Sequence, residues 1–314
     1  MIRDPVAGAA ISAVVSFGER LEQVFATHGQ LCVGIDPHAW LLSAWGLPDS
    51  AAGAEAFGRK VVETSAGSVG IVKPQVAFFE RFGSTGYAAL ERILTDARSA
   101  GLLVIADVKR GDLGTSVEAY GDAWLRPGSP LEVDAITVSA YLGVGTLDAP
   151  LALAAEKGKG VFLLSATSNP EGADIQSAVV AHGSRAGLTV ARAILDDVAE
   201  RNARDFGSVL GSRALRSTAL RSTALGSIGV VLGATLDLAT FGIDVAAAPS
   251  RALTPILAPG FGQQGANIAD LRVLYGGYAP GVIVSESRSV LSGGPDHLKE
   301  AIARRVAEVG AARG

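Results

Sequence analysis

Sulfur and imidazole are scarce in this chain: its 314 residues include one cysteine, one methionine and four histidines. A single Cys32 excludes an intrachain disulfide, and its place in the apolar run LCVGI predicts a buried thiol of a reducing compartment, so a cytoplasmic setting is expected. His28, His38, His182 and His297 have no ligand spacing among them, which argues against a histidine metal centre. An excess of one charge is also missing. Lys and Arg number 27 against 31 Asp and Glu, scattered along the chain, so there is no footprint for nucleic acid or an anionic membrane surface and a small-molecule partner is expected. The apolar stretch AGAAISAVVSF lies between Asp4-Pro5 and Gly18-Glu19-Arg20, too short for a membrane span, and reads as the run-in to a first helix. No G-x-G-x-x-G follows the first apolar run and no P-loop occurs, which removes two common nucleotide-binding signatures.

What is present is a rhythm. Apolar runs at 31–36, 69–74, 102–109, 133–139, 161–167, 228–235, 255–260 and 281–286 have the length and continuity of strands buried on both faces. Between them lie helix-forming stretches such as EAFGRKVVETSAG, GYAALERILTDARSAG, GSRAGLTVARAILDDVAERN and DHLKEAIARRVAEVG. Alternation of this kind predicts a parallel sheet with right-handed crossovers, and about eight repeats in about 250 residues is the size of a (β/α)₈ TIM barrel. An open doubly wound sheet is the alternative. Residues 1–30 are read as a helical run-in and 31–314 as a single catalytic barrel domain. Between a helix expected to end near Asn202 and the run at Ile228 the rhythm breaks, with ALRST at 214–218 repeated at 219–223. The segment 203–227 is read as a surface insertion rather than as a basic docking loop built on Arg213, Arg216 and Arg221.

Barrel enzymes carry their chemistry at the C-terminal ends of the strands. Here those ends are charged: Asp36 closes the first run, Lys73 the second, and Asp107 and Lys109 the third, with Asp112 just beyond in DVKRGD. Asp107 and Lys109 are two apart on a strand and so share a face. A buried ion-pair cluster tying strands together would give the same pattern, but burying four or five charges costs several kcal/mol each before pairing, which favours a functional site. The carboxylates could hold Mg²⁺, yet Lys73 and Lys109 interleave among them and would repel it, so a metal-free site is expected. The seventh run opens into the glycine-rich turn APGFGQQGAN and the eighth into SESRSVL with Arg288 at its tip; loops after strands seven and eight are the usual phosphate site in such barrels. The loop SATSNPEG after the fifth run offers Ser168 and Asn169 to a heterocycle, or is an ordinary polar turn.

With these motifs in order, GIDP, VKPQVAFFE, ADVKRGD, TSNPEG, APGFGQQGA and SESRSVL, the chain resembles the orotidine 5′-phosphate decarboxylases, in particular their long-form bacterial branch. The resemblance implies decarboxylation of orotidine 5′-monophosphate (OMP) to UMP in pyrimidine biosynthesis, without metal or organic cofactor, by a homodimer with shared sites. It implies Lys109 as proton donor, with Asp107, Lys73 and Asp112 completing an alternating Asp-Lys network and Asp112 supplied by the partner subunit. It also places Asp36 and Lys73 on the ribose, Ser168 on the pyrimidine, and Gln264 and Arg288 on the phosphate. Ser116 stands where the family often has a threonine reaching across the dimer, and Ser287 where the shorter branch commonly has a glycine. The rivals are another phosphate-binding barrel lyase, a Schiff-base aldolase using Lys109 or Lys73, and a catalytically silent nucleotide-binding barrel.

Overall fold

The computed structural model describes residues 14–213, 224–247 and 252–313. Strands β1 (Leu31–Ile35), β2 (Ile71–Pro74), β3 (Leu103–Arg110), β4 (Ala135–Ser139), β5 (Gly160–Ala166), β6 (Ile228–Leu232), β7 (Ile256–Pro259) and β8 (Val282–Glu286) pair in chain order and close into a barrel. Closure is made by β8 on β1, with Leu31 opposite Val284 and Val33 opposite Glu286. That pairing excludes the open sheet, and each strand falls within or beside one of the apolar runs read from the sequence. Helix α1 (Phe17–His28) precedes the barrel; α2 (Ala51–Ser65), α3 (Gly83–Ser99), α4 (Gly114–Leu125), α5 (Asp148–Lys157), α6 (Val190–Arg213), α7 (Leu271–Tyr275) and α8 (Leu298–Arg313) lie along the connections. Among the described residues no helix is long and apolar enough to cross a membrane.

Alternation along the strands separates two cores. One face packs on the outer helices, as with Val33, Val72, Val104, Ile136, Leu163, Val230 and Val284. The other points into the barrel, where Cys32, Ile71, Leu103, Ile105, Ala135, Phe162, Val231, Leu257 and Ile283 form a second cluster. Two residues further along these strands, on the same inward face, come Lys73, Asp107, Thr137, Leu164, Pro259 and Ser285. The barrel interior is therefore apolar through its lower layers and polar at its C-terminal mouth.

Helix α1 seals the opposite end. Ser16 and Glu19 form a reciprocal capping box, and Phe17, Leu21 and Phe25, spaced at i, i+4 and i+8, join the inner cluster. Phe17 meets Phe162 edge to face at 5.9 Å. Gly160 and Gly70 make this close fit: a Cβ on either would lie 2.5 Å from the Phe17 ring or 2.3 Å from Val24. Burial of each such side chain stabilises by about 1.5–3 kcal/mol, so helix α1, within the stretch read as a run-in, forms the floor of the barrel.

The region after β5 departs from the sequence reading. The expected helix from Gly183 begins instead at Val190, because Gly183 and Gly187 both take positive φ, and the intervening turn is closed by a bridge between Val179 and Thr189. Asn202 is not a helix end. It is buried, and its amide binds both backbone groups of Ile228, donating to the carbonyl at 2.7 Å and accepting from the N–H at 3.1 Å, while α6 continues to Arg213. The ALRST repeats, with Arg216 and Arg221, lie outside the described residues. Beyond them Ala224–Leu225 pairs with Ala252–Leu253, and the Leu225 N–H donates to Glu22 of α1 at 2.6 Å.

Candidate active site

The strand ends surround a cavity of about 420 Å³. Its floor is the charged layer. Lys73, nearly buried on β2, donates to Asp107 Oδ2 at 3.1 Å, and Lys109 Nζ reaches the same oxygen at 2.7 Å. Thr137 of β4 donates to the other oxygen, Asp107 Oδ1, at 2.8 Å. Gln75, two residues past Lys73, completes the group: its amide nitrogen meets the Asp107 carbonyl at 2.7 Å and its amide oxygen accepts from Lys109 Nζ at 3.0 Å.

These contacts decide the ionisation of the group. Burial alone would raise the Asp107 pKa, but Lys73 and Lys109 outweigh it, aided by hydrogen bonds from Lys109 and Thr137, and hold the carboxyl well below the usual carboxylate range. Burial would likewise lower Lys73, yet the facing carboxylates Asp107 and Asp36 raise it above the ordinary lysine range. Both stay charged at neutral pH. Cys32 lies under this layer; burial, with Asp36 and Asp107 nearby, pushes its thiol up to about 12, so it stays protonated and inert.

Lys109 has φ of 48°, the one non-glycine residue with positive φ among those described. That conformation costs an L-residue roughly 1–2 kcal/mol. It sits in a break of register between β3 and β4, where Ala106 faces Ile136 and the next pairing is Arg110 with Val138. The irregularity lets Lys109 turn into the mouth while Arg110 points away and pairs with Glu80 at 2.7 Å. A simple two-residue alternation predicted the shared direction of Asp107 and Lys109, but not the strained backbone that achieves it.

The remaining walls are polar. Asp36 follows β1, and its Oδ1 is buried with no hydrogen-bond partner; the Ser287 hydroxyl after β8 is in the same condition. Gly34 makes their approach possible, since a Cβ there would lie 2.7 Å from Ser287 Cβ. Arg288 follows Ser287 and lines the cavity beside the β7 loop, where Gly262 lies against Ser289. In that loop Gly260, Gly262 and Gly265 all take positive φ, a path that side chains would strain. Buried Glu286 accepts from Ser289 and pairs with Arg305 of α8 at 3.0 Å, which ties the β8 loop to the C-terminal helix. Across the mouth Ser168 donates to Gln264 at 3.1 Å.

Of the residues singled out in the sequence, Asp36, Lys73, Asp107, Lys109, Ser168, Gln264, Ser287 and Arg288 line this one cavity. Asp112 and Ser116 do not. Asp112 accepts from the Leu113 N–H at 2.8 Å, and Ser116 is exposed on α4. The sequence reading missed Gln75, Thr137, His38 and Phe78. Gln75 and Thr137 were detectable by parity, Thr137 lying on the inward face of β4 and Gln75 continuing the inward parity of Ile71 and Lys73 one residue past β2. His38 follows the GIDP motif and packs on Phe78 with ring centroids 4.2 Å apart. Burial, with Arg288 and Arg81 nearby, lowers its pKa against the pull of Asp36, so the imidazole is neutral at neutral pH. Among the described residues no group of three or more His, Cys, Asp and Glu side chains could hold a metal ion. The arrangement presents a fixed ammonium beside a fixed carboxylate at one end and an arginine with glycine-rich backbone at the other, as a substrate with a reacting anionic end and a remote anionic group requires.

Comparison with known proteins agrees. Residues 29–274 match the model of the orotidine 5′-phosphate decarboxylase / HUMPS family. An orotidine 5′-phosphate decarboxylase of Salinispora tropica is 50% identical over 281 residues, covering 90% of this chain and 91% of its own length. Its namesake from Streptomyces coelicolor is 46% identical, covering 89% and 91%. A crystal structure from Streptomyces avermitilis, described as a candidate orotidine 5′-phosphate decarboxylase, superposes with a TM-score of 0.81 at 43% identity, covering 96% of this chain and 97% of that one. The family model spans most of the barrel and the relatives align over almost their whole length, and so the chain belongs to the orotidine 5′-phosphate decarboxylase / HUMPS family.

Proposed function

We propose that this protein converts OMP to UMP and CO₂ in pyrimidine biosynthesis, with Lys109 as the proton donor and with no metal or organic cofactor. The observation that carries this reading is the Lys73–Asp107–Lys109 array at one end of a cavity whose other end is formed by Arg288 and the β7 loop. Loss of CO₂ breaks the bond between C6 and the carboxylate carbon and leaves the electron pair on C6, in the ring plane and outside the π system. Stabilisation of that pair must be electrostatic, and Lys109, held by Asp107, supplies a positive charge and then a proton to C6. The vacated amine regains its proton from water.

Asp36 and Lys73 are assigned to the ribose hydroxyls, Ser168 to the pyrimidine, and Gln264, Ser287 and Arg288 to the phosphate. The unpartnered Asp36 carboxylate oxygen, an acceptor, and the unpartnered Ser287 hydroxyl, a donor, favour a ligand whose hydroxyls can donate and whose phosphate oxygens can accept, because buried polar atoms without partners are costly. Phosphate binding far from C6 contributes energy that organises the reacting end. Asp112 and Ser116 are assigned to the neighbouring site of a homodimer, a cytoplasmic assembly in this reading. Leu113 just before α4, Tyr120 on it, and Tyr141 and Leu142 in the loop after β4 are exposed apolar or aromatic side chains of the kind an interface would cover.

Absorbance loss on OMP conversion tests the function directly, with EDTA present throughout. Wild-type protein is expected to turn over, and folded Lys109→Ala to lose nearly all kcat. Activity abolished by EDTA and restored by Mg²⁺ would overturn the metal-free mechanism, wild-type rates in Lys109→Ala the proton donor, and no turnover by wild type the function itself.

A further inference from the structure

We propose that Thr137 is a positioning residue that holds Lys109 in its reactive place through one bifunctional hydroxyl. The proposal rests on the reading of Lys109 as the proton donor.

Thr137 lies mid-strand in β4 and is fully buried, a position where valine would fill the same space without a polar group. Its hydroxyl has two partners on the neighbouring strand, and they are the two ends of the reacting pair. It donates to Asp107 Oδ1 at 2.8 Å and accepts from the backbone N–H of Lys109 at 3.1 Å. A hydroxyl has one donor and two acceptor positions, so a single atom serves both.

The second contact falls at the irregular part of the β3–β4 ladder. Between Ala106 and Arg110 the regular pairing is interrupted, which would leave the Lys109 N–H inside the barrel without a strand partner. An unpartnered N–H there is costly, and a positive φ adds to it, so the strained conformation persists only where its surroundings hold it. Two anchors do so from opposite sides. Arg110 is pulled outward by Glu80, and Thr137 grips the Lys109 N–H from within. The first contact fixes the rotation of Asp107, leaving Oδ2 to face both ammonium groups. Thr137 thus sets the backbone from which Lys109 departs and the carboxylate against which its Nζ rests. It does not line the cavity, and so it acts through these two residues rather than on substrate.

The test compares Thr137→Val with Thr137→Ser in the full-length protein. Losing a hydrogen bond to a charged group corresponds to about a ten- to hundredfold change, so T137V is expected to lose kcat to about that extent. KM for OMP and the dissociation constant of UMP, which carries no reacting carboxylate, should stay close to wild type. T137S keeps the hydroxyl and should restore kcat, which a packing role for the threonine methyl would not. A T137V rate within about twofold of wild type, a loss that serine fails to restore, or an equal loss of UMP affinity would overturn the proposal. Crystal structures of the two variants read the geometry without activity: in T137V Lys109 should leave positive φ or its Nζ should leave Asp107, and in T137S neither should move. An undisturbed Lys109 in T137V would likewise refute the link, whereas a wild-type enzyme inactive on OMP would refute the functional reading alone.

Discussion

At the scale of single residues, the site is a set of charges that stabilise one another's ionised forms. Asp107 is the centre, since it meets two ammonium groups and a hydroxyl. Its depressed pKa has a consequence for stability. In the unfolded chain this carboxyl titrates near about 3.9, far above its folded value, so as pH falls the unfolded state takes up the proton first. The stability that the charged form contributes is present above that pH and is lost progressively below about pH 5. Asp107→Asn removes this titration. The stability of wild type relative to D107N, measured by urea unfolding, is therefore expected to fall between about pH 6 and about pH 3, and a difference that stays constant would contradict the electrostatic account.

At the scale of elements, the strands were legible because the apolar runs are buried on both faces and most of them end in polar or charged residues. The position of the site followed from that reading, since Asp36, Lys73 and Asp107 mark where strands stop being core. Other features depend on contacts between distant segments, which periodicity does not encode. Thr137 is one residue in an ordinary apolar strand until β3 shifts register beside it. Asn202 reads as a helix end, but its partner Ile228 lies 26 residues further along the chain. Helix α1 reads as a run-in because nothing in its pattern shows that its apolar stripe meets the barrel floor. That contact has a measurable size. Phe17→Ala removes a fully buried ring packed on Phe162 and Gly160, so it is expected to cost about 3–5 kcal/mol in chemical denaturation. KM for OMP should be unchanged, because the site lies at the other end of the barrel; an altered KM with intact stability would show that α1 communicates with the mouth instead.

At the scale of the whole molecule, one feature of the single chain points outward. Asp112 belongs to the ADVKRGD motif, yet it sits beyond the strand end, outside the cavity that Lys109 lines, beside Leu113 with 60% of its surface exposed. If a two-fold dimer brings Asp112 of one protomer to Lys109 of the other, each site takes Lys109 from one chain and Asp112 from its partner. Lys109→Ala and Asp112→Ala homodimers should then both be nearly inactive. In a mixed dimer one site receives both intact residues while the other receives both defects. Random exchange at equal concentrations makes about half of the dimers mixed, each with one good site of two, so about a quarter of wild-type activity should return. If both residues served the same chain, every site in the mixture would keep a defect and none would recover. Mass spectrometry of the mixture establishes that exchange has taken place, and inactivity after exchange would eliminate the shared site while leaving the chemistry of Lys109 intact.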